Sequence, residues 1–253
     1  DRCMCVALED HRDSLPESVR RLERFFAQEL DVDVWLFSVP GVHLLSSARR
    51  ESESWCGYRL PVFFLERGES SVLSVEADFL PRARELLGEG AEGLAVAQDL
   101  LVDSTVRWPS ARLLDGYSLY CESDRFRPQR AAPTEKLMPW DPEWESMSEH
   151  FDGPVFVTRT SLGDVASWAA VKLKDEHVWE IAVTTDEAHR GRGLAKSVVS
   201  AATEYILGEG RIPLYTHEEA NLASGRVAQA LGFTRFAREA YCSTSDTKLT
   251  GMW

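Results

Sequence analysis

The sequence predicts an α/β (α+β) protein with a mixed, mostly antiparallel sheet, on three observations. Short β-branched and aromatic runs such as "YRLPVFFLE" and "VASWAAVKL" alternate with segments whose apolar residues recur at helical spacing, such as "PESVRRLERFFAQEL". Turn signals at Gly68, Gly163-Asp164 and Lys174-Asp175-Glu176 separate consecutive strand runs, so neighbouring strands fold back on one another. The 253 residues, 44% of them apolar and 27% charged, allow a sizeable core and exclude a fibrous or disordered class.

The first helix is predicted at "PESVRRLERFFAQEL", where Val19, Leu22, Phe26 and Leu30 form one apolar stripe and Pro16 suits the first turn. Four strands follow, "DVWLFSV", "VHLLSS", "YRLPVFFLE" and "SSVLSVE", punctuated by Pro40-Gly41, the polar stretch Arg49 to Ser54, and Gly68. Two helices, "PRARELLG" and "EGLAVAQDLLVDSTV", precede a strand at "GYSLYCE". "RFRPQRAAPTEK", residues 125–136, has two prolines and no periodicity, and reads as a linker. The expected division is therefore an N-terminal α+β domain over 1–130, of unassigned task, and a second domain over 131–253. Beyond the linker come a short helix in "DPEWESMSEHF", strands "PVFVTR", "VASWAAVKL" and "HVWEIAV" joined as hairpins, and a basic glycine-bearing turn. Its helix, strand "IPLYTH", helix "LASGRVAQAL" and strand "FTRFAREAY" complete the order.

The formal net charge is −13, and both halves are acidic. Nucleic acid requires a basic face that releases counterions, so the balance argues against such a partner and suits a cationic small molecule. No apolar run approaches the ~20 residues of a bilayer span, which predicts no membrane partner and a cytoplasmic protein. Cys3, Cys5, Cys56, Cys121 and Cys242 are odd in number and scattered; they make no disulfide framework, and Cys3-x-Cys5 lacks a second pair at zinc spacing, so no metal is expected. Trp35, Trp55, Trp108, Phe63 and Phe64 are candidates for an acceptor pocket, although core packing is the commoner role of such residues.

The chemistry-bearing stretch is "EIAVTTDEAHRGRGLAKSVVSAATEYI". A glycine-bearing turn that opens a helix presents unpaired backbone N–H groups at the positive end of the helix dipole, which is an anion site. Arg190, Arg192 and Lys196 add positive charge; Gly191 and Gly193 permit positive φ and the close approach of a bulky phosphate. Val198, Val199, Ala202 and Ile206 anchor the helix to a core. The pattern is neither G-x-G-x-x-G nor a P-loop, because no G-K-[ST] follows the glycines.

Arg190-Gly191-Arg192-Gly193-Leu194-Ala195, following strand "WEIAV", resembles the R-x-x-G-x-A coenzyme A signature of the Gcn5-related N-acetyltransferases, the GNAT superfamily. "NLASGRVAQALGF", ending in Leu231-Gly232-Phe233, is similar to that superfamily's next helix, so the resemblance covers about residues 135–245. It implies a GNAT fold there, acetyl-CoA as co-substrate, no metal, and direct acetyl transfer to an amine. The acceptor class stays open, as does the choice between monomer and homodimer. It further implies that backbone amides of Arg190, Gly191, Arg192, Gly193, Leu194 and Ala195 hold the pyrophosphate. Main-chain groups of Ile181, Ala182 and Val183 would pair with the pantetheine arm, and Asn221 and Ser224 would face the pantetheine and the thioester. Asn221 is equally suited to a plain N-cap. The N-terminal half resembles leader regions of some bacterial members and is compatible with a degenerate GNAT-like copy.

An amine near pKa 10.4 must lose a proton before it attacks. The expected acceptors are Glu180 first, in the strand that leads to the turn, and His217 second, at the end of "IPLYTH" with a pKa near neutrality. Glu180 either faces solvent or lines the acceptor cleft. Many members carry a tyrosine as general acid four residues before the Gly-Phe step. Ala228 stands in that position, leaving Tyr215 or Tyr241 as substitutes. An acyl-CoA-binding module that does no chemistry is the alternative this implies.

Overall fold

The computed structural model describes residues 14–53 and 58–244. Cys3, Cys5, Trp55 and Cys56 fall outside them, so the readings placed on those residues lie outside the described part. The elements of the first stretch are α1 (Glu17–Leu30), β1 (Gly41–Ser46), β2 (Arg59–Arg67), β3 (Ser70–Val75), α2 (Leu80–Gly88), α3 (Gly93–Arg107) and β4 (Arg112–Tyr120). They are followed by β5 (Glu135–Lys136), α4 (Trp144–Ser148), β6 (Val155–Arg159), β7 (Val165–Leu173), β8 (Val178–Thr185), α5 (Leu194–Gly208), β9 (Ile212–Glu218), α6 (Leu222–Leu231) and β10 (Thr234–Thr244).

Two compact units emerge among the described residues, one running up to Tyr117 and resuming at Phe236, the other Ser118–Arg235. The chain therefore passes between units inside β4 and inside β10. In the first unit the strands run β1-β3-β2-β10, with β1 parallel to β3 and the other pairs antiparallel. The β2–β3 hairpin turns at Gly68, whose φ of 62° is left-handed. Val62, Phe64, Leu73 and Val75 meet Ala83 and Leu86 of α2, Val96, Ala97 and Leu100 of α3, and Ala240 and Cys242 of β10. The α1 stripe of Val19, Leu22, Phe26 and Leu30 is buried, and Phe26 stacks on Phe236.

One expected strand is absent. "DVWLFSV" forms a 3-10 turn over Val34–Ser38, closed by Leu36 N–H to Asp33 O (3.0 Å) and Val39 N–H to Leu36 O (3.1 Å), because Pro40 ends the run before a ladder can form. Phe63 and Phe64 are buried core residues, and Phe63 packs edge-on against Tyr241 within the same unit.

In the second unit the strands run β9-β8-β7-β6-β5; only β8 and β9 are parallel, and the hairpins expected at 163–164 and 174–176 are present. Helix α5 buries Val198, Val199, Ala202 and Ile206 as its spacing demands. The segment read as a linker is a strap on this unit. Arg127 N–H donates to Leu231 O (3.0 Å), Gln129 N–H to Ser200 Oγ (2.7 Å), and the Ala131 and Ala132 amides both donate to Ser197 Oγ (2.9 and 3.1 Å). Residues 135–136 then join β6 as β5. The prolines prevent regular secondary structure, but hydroxyls on the facing helix satisfy the amides instead.

Candidate functional site

The site grows from two features of the second unit. The first is the end of the β8–β9 ladder. β8 pairs with β7 along its whole length, from Trp179↔Leu173 to Thr185↔Ser167. Its pairing with β9 covers only Val178↔Ile212, Trp179↔Pro213 and Glu180↔Leu214, although β8 continues to Thr185 and β9 to Glu218. Beyond Glu180 and Leu214 the two strands part, so Ile181, Ala182 and Val183 keep one edge bonded to β7 and present the other to the gap. An extended chain with amide groups fits such an edge, since main-chain N–H and C=O groups seek partners.

The second feature is the turn into α5. Asp186 anchors it: its N–H donates to Ala166 O (2.9 Å) and its Oδ1 accepts from Ala188 N–H (2.9 Å). Gly191 and Gly193 have φ of 78° and 79°, and Gly193 is the residue before the helix, with no side-chain cap. Among the described residues no hydrogen bond is made by the N–H groups of Gly191, Arg192, Gly193, Leu194, Ala195 or Lys196; the first helical bond is Ser197 N–H to Gly193 O. Arg190 differs, since its N–H donates to Glu187 O (3.3 Å) and its Nε to Thr185 O (3.3 Å). Six successive amides at a helix N-terminus, flanked by Arg192 and Lys196, make a nest for a polyanion.

Helix α6 follows β9 after a three-residue turn. Asn221 Oδ1 accepts from Ser224 N–H (3.1 Å), so the oxygen serves as the N-cap, while the amide nitrogen of the same side chain makes no bond among the described residues. The Ser224 hydroxyl lies 2.8 Å from Tyr215 Oη, and burial pushes the Tyr215 phenol up to about 12 against the opposing pull of that hydrogen bond. Tyr215 directly follows Leu214, the last β9 residue paired with β8. Ala228 is fully buried and offers no polar group. His217 Nδ1 lies 2.7 Å from Glu218 O, and its ring lies against Gly225, where a Cβ would meet Nε2 at 3.3 Å.

Glu180 stands at the last β8–β9 pair, and its oxygen is 3.1 Å from Lys174 Nζ, with both side chains largely buried. Burial alone pushes this carboxyl up. The charges of Lys174 and Lys172 and hydrogen bonds from Lys174 and Thr216 outweigh burial and hold it below its ordinary value. The sequence reading missed the two lysines. The hairpin it predicted at 174–176 carries the signal, because that register sets Lys172 opposite Glu180. Glu180 and the turn thus lie at opposite ends of the free β8 edge; Tyr215 stands on β9, and Asn221 and Ser224 at the head of the helix that follows it. Tyr241 belongs to the first unit. No group of three or more metal-ligating side chains occurs among the described residues.

Against known proteins, residues 130–241 match the family model described as GNAT acetyltransferase. No curated protein matches the chain. Among solved structures, a GNAT-family protein from Novosphingobium aromaticivorans is similar at 19% identity, covering 55% of this chain and 69% of that one, with a TM-score of 0.44. A GCN5-related N-acetyltransferase-like protein from Streptococcus suis is similar at 22% identity, over 58% of this chain and 67% of that one, with a TM-score of 0.42. A Salmonella typhimurium structure with its cofactor acetyl-CoA is similar at 20% identity over 43% of this chain and 73% of that one, with a TM-score of 0.33. Two further neighbours, from Colwellia psychrerythraea and from the clavulanic acid pathway, are covered over only 57% and 58% of their own length.

Proposed function

We infer, from the match of residues 130–241 to the GNAT acetyltransferase family model, that this protein is an N-acetyltransferase which moves an acetyl group from acetyl-CoA directly to the amine of a small acceptor. The observation that carries this reading is the run of unbonded amides from Gly191 to Lys196 at the head of α5, beside a strand edge left open from Ile181 onward. The chain's own groups fit the co-substrate in chemistry: the amide nest for a diphosphate, and the β8 edge with the Asn221 amide for the amide-bearing arm. Bound there, acetyl-CoA supplies the activated thioester.

The protein's part is then to orient, to accept a proton and to steady developing charge. Of the two candidate bases, the ion pair with Lys174 weakens Glu180, because a carboxylate held below its ordinary pKa gives up affinity for protons. His217, whose Nδ1 lies 2.7 Å from the Glu218 carbonyl, is the second candidate. A free amide on the β8 edge, at Ala182 or Val183, serves as the donor to the tetrahedral oxyanion.

Titration calorimetry with acetyl-CoA, desulfo-CoA and ATP tests the cofactor assignment. Gly191→Asp is the informative variant: a Cβ there meets nothing within 4 Å, Asp tolerates positive φ, and its charge opposes a diphosphate. Affinity is expected to fall tenfold or more, about 1.4 kcal/mol, while Gly191→Asn retains most of it. Equal affinity in wild type and Gly191→Asp, or competition by ATP rather than desulfo-CoA, overturns the reading. Coenzyme A release across a panel of amines then tests the transfer itself. A second reading, an acyl-CoA sensor without turnover, is favoured by buried Ala228 and by the engaged Glu180, and predicts cofactor binding with no amine-dependent release.

A further inference from the structure

The outer strand of the first unit is β1. It pairs with β3 alone, in parallel, from Gly41↔Ser70 to Ser46↔Val75. Gly41 N–H donates to Glu69 O (2.9 Å) and Ser47 N–H to Val75 O (3.1 Å), so the odd-numbered residues turn their main-chain groups to β3. The N–H and C=O groups of Val42, Leu44 and Ser46 therefore point away from the sheet. Among the described residues no loop or side chain bonds to them. Val42 and Ser46 are exposed, and His43, Leu44 and Leu45 half-buried. Unpaired edges are ordinarily guarded by charge, proline, a bulge or brevity. The second unit follows that practice: its outer strand β5 is two exposed residues, Glu135 and Lys136. In contrast, "GVHLLS" carries no charge and no proline, and its register is unbroken. The charges beside it are turned inward. Asp31 accepts from Ser47 Oγ (2.7 Å), Glu29 holds Arg49 (2.5 Å), and buried Arg50 donates to Glu29 O.

We propose that β1 pairs with β1 of a second copy of this chain, antiparallel across a two-fold axis at Leu44. That axis sets Leu44 opposite itself and Val42 opposite Ser46 of the other copy, so every outward N–H meets an outward C=O. An axis moved to His43 sets Ser46 opposite Pro40, which has no N–H, and loses part of the ladder. Charge selects a like copy over a basic or acidic partner, because the strip offers neither sign to grip. A net charge of −13 sets copies against each other at long range, and an uncharged strip is a contact that adds no repulsion of its own. This pairing involves the first unit alone and does not rest on the transferase reading.

Sedimentation of the full chain over a concentration series, with residue-resolved amide exchange at both ends of the series, tests this. The expected result is a reversible dimer that tightens as salt rises, since screening removes the long-range repulsion. On dimerisation the amides of Val42, Leu44 and Ser46 should slow roughly tenfold, while those of His43 and Leu45, already bonded to β3, should not change. Val42→Lys guards the edge with a charge, and Ser46→Pro removes an outward donor without touching a β3 bond. Each should raise the dimer Kd roughly tenfold or more. Leu162→Lys, at an exposed apolar residue of the second unit, should leave it unchanged. Should Ser46→Pro unfold, Val42→Lys decides. A wild type that stays monomeric up to about 1 mM overturns the proposal. So does a dimer that Val42→Lys leaves intact, one that Leu162→Lys abolishes, or one in which the three outward amides exchange as fast as in the monomer.

Discussion

Gly191 and Gly193 share nearly the same left-handed φ, yet they are not equivalent. A Cβ at Gly191 meets open space, whereas one at Gly193 meets Ala131 Cβ at 3.0 Å. Gly191→Ala should cost about 1 kcal/mol for the left-handed backbone alone, and Gly193→Ala should cost more, because the strap residue must also give way. Urea unfolding of the two variants checks this, and a larger loss in Gly191→Ala would contradict the geometry. That both positions are glycine, and that the helix starts just after, could be read from the sequence, since positive φ and cap chemistry are local properties. The contact with Ala131 could not, because it joins residues 62 positions apart. The same holds at Glu180: its place in the strand was legible, and its ion pair with Lys174 was not claimed.

At the level of elements, the strap over 129–132 repeats this point. Two prolines and the absence of period made the segment look like a free connector, but its amides are consumed by Ser197 and Ser200, some 65 to 71 residues downstream. Ser197 is buried and takes both the Ala131 and Ala132 amides, which ties the strap to the helix whose head carries the amide nest. Ser197→Ala leaves two amides without their acceptor and should cost about 1–3 kcal/mol. Hydrogen exchange at Ala131 and Ala132 should accelerate markedly while the β7–β8 hairpin amides stay protected; uniform loss of protection would contradict a local strap. Strands and helices with strong periodicity were legible throughout the second unit. "DVWLFSV" was not, because a β-branched and aromatic run carries the same propensity whether its carbonyls close a 3-10 turn or a ladder.

For the whole molecule, the general acidity that seemed to favour a cationic acceptor gives way at the site to a local arrangement, with Lys172 and Lys174 beside Glu180 and Arg192 and Lys196 at the turn. Net charge speaks to encounter, and only placed charges speak to recognition. The division into units carries its own expectation. A chain ended after Arg235 lacks the strand that pairs with β2 from Cys242↔Val62 to Arg238↔Glu66. It should lose the cooperative unfolding of the first unit and expose apolar surface to a dye such as ANS; retention of full cooperativity would show the strand to be dispensable. The order of synthesis follows from the same feature. Since that strand is translated only after all of 118–235, the first-made unit must wait at the ribosome with its sheet unfinished, so the later-made unit is free to mature ahead of the earlier one, and chaperones would meet the amino-terminal portion as the slower client.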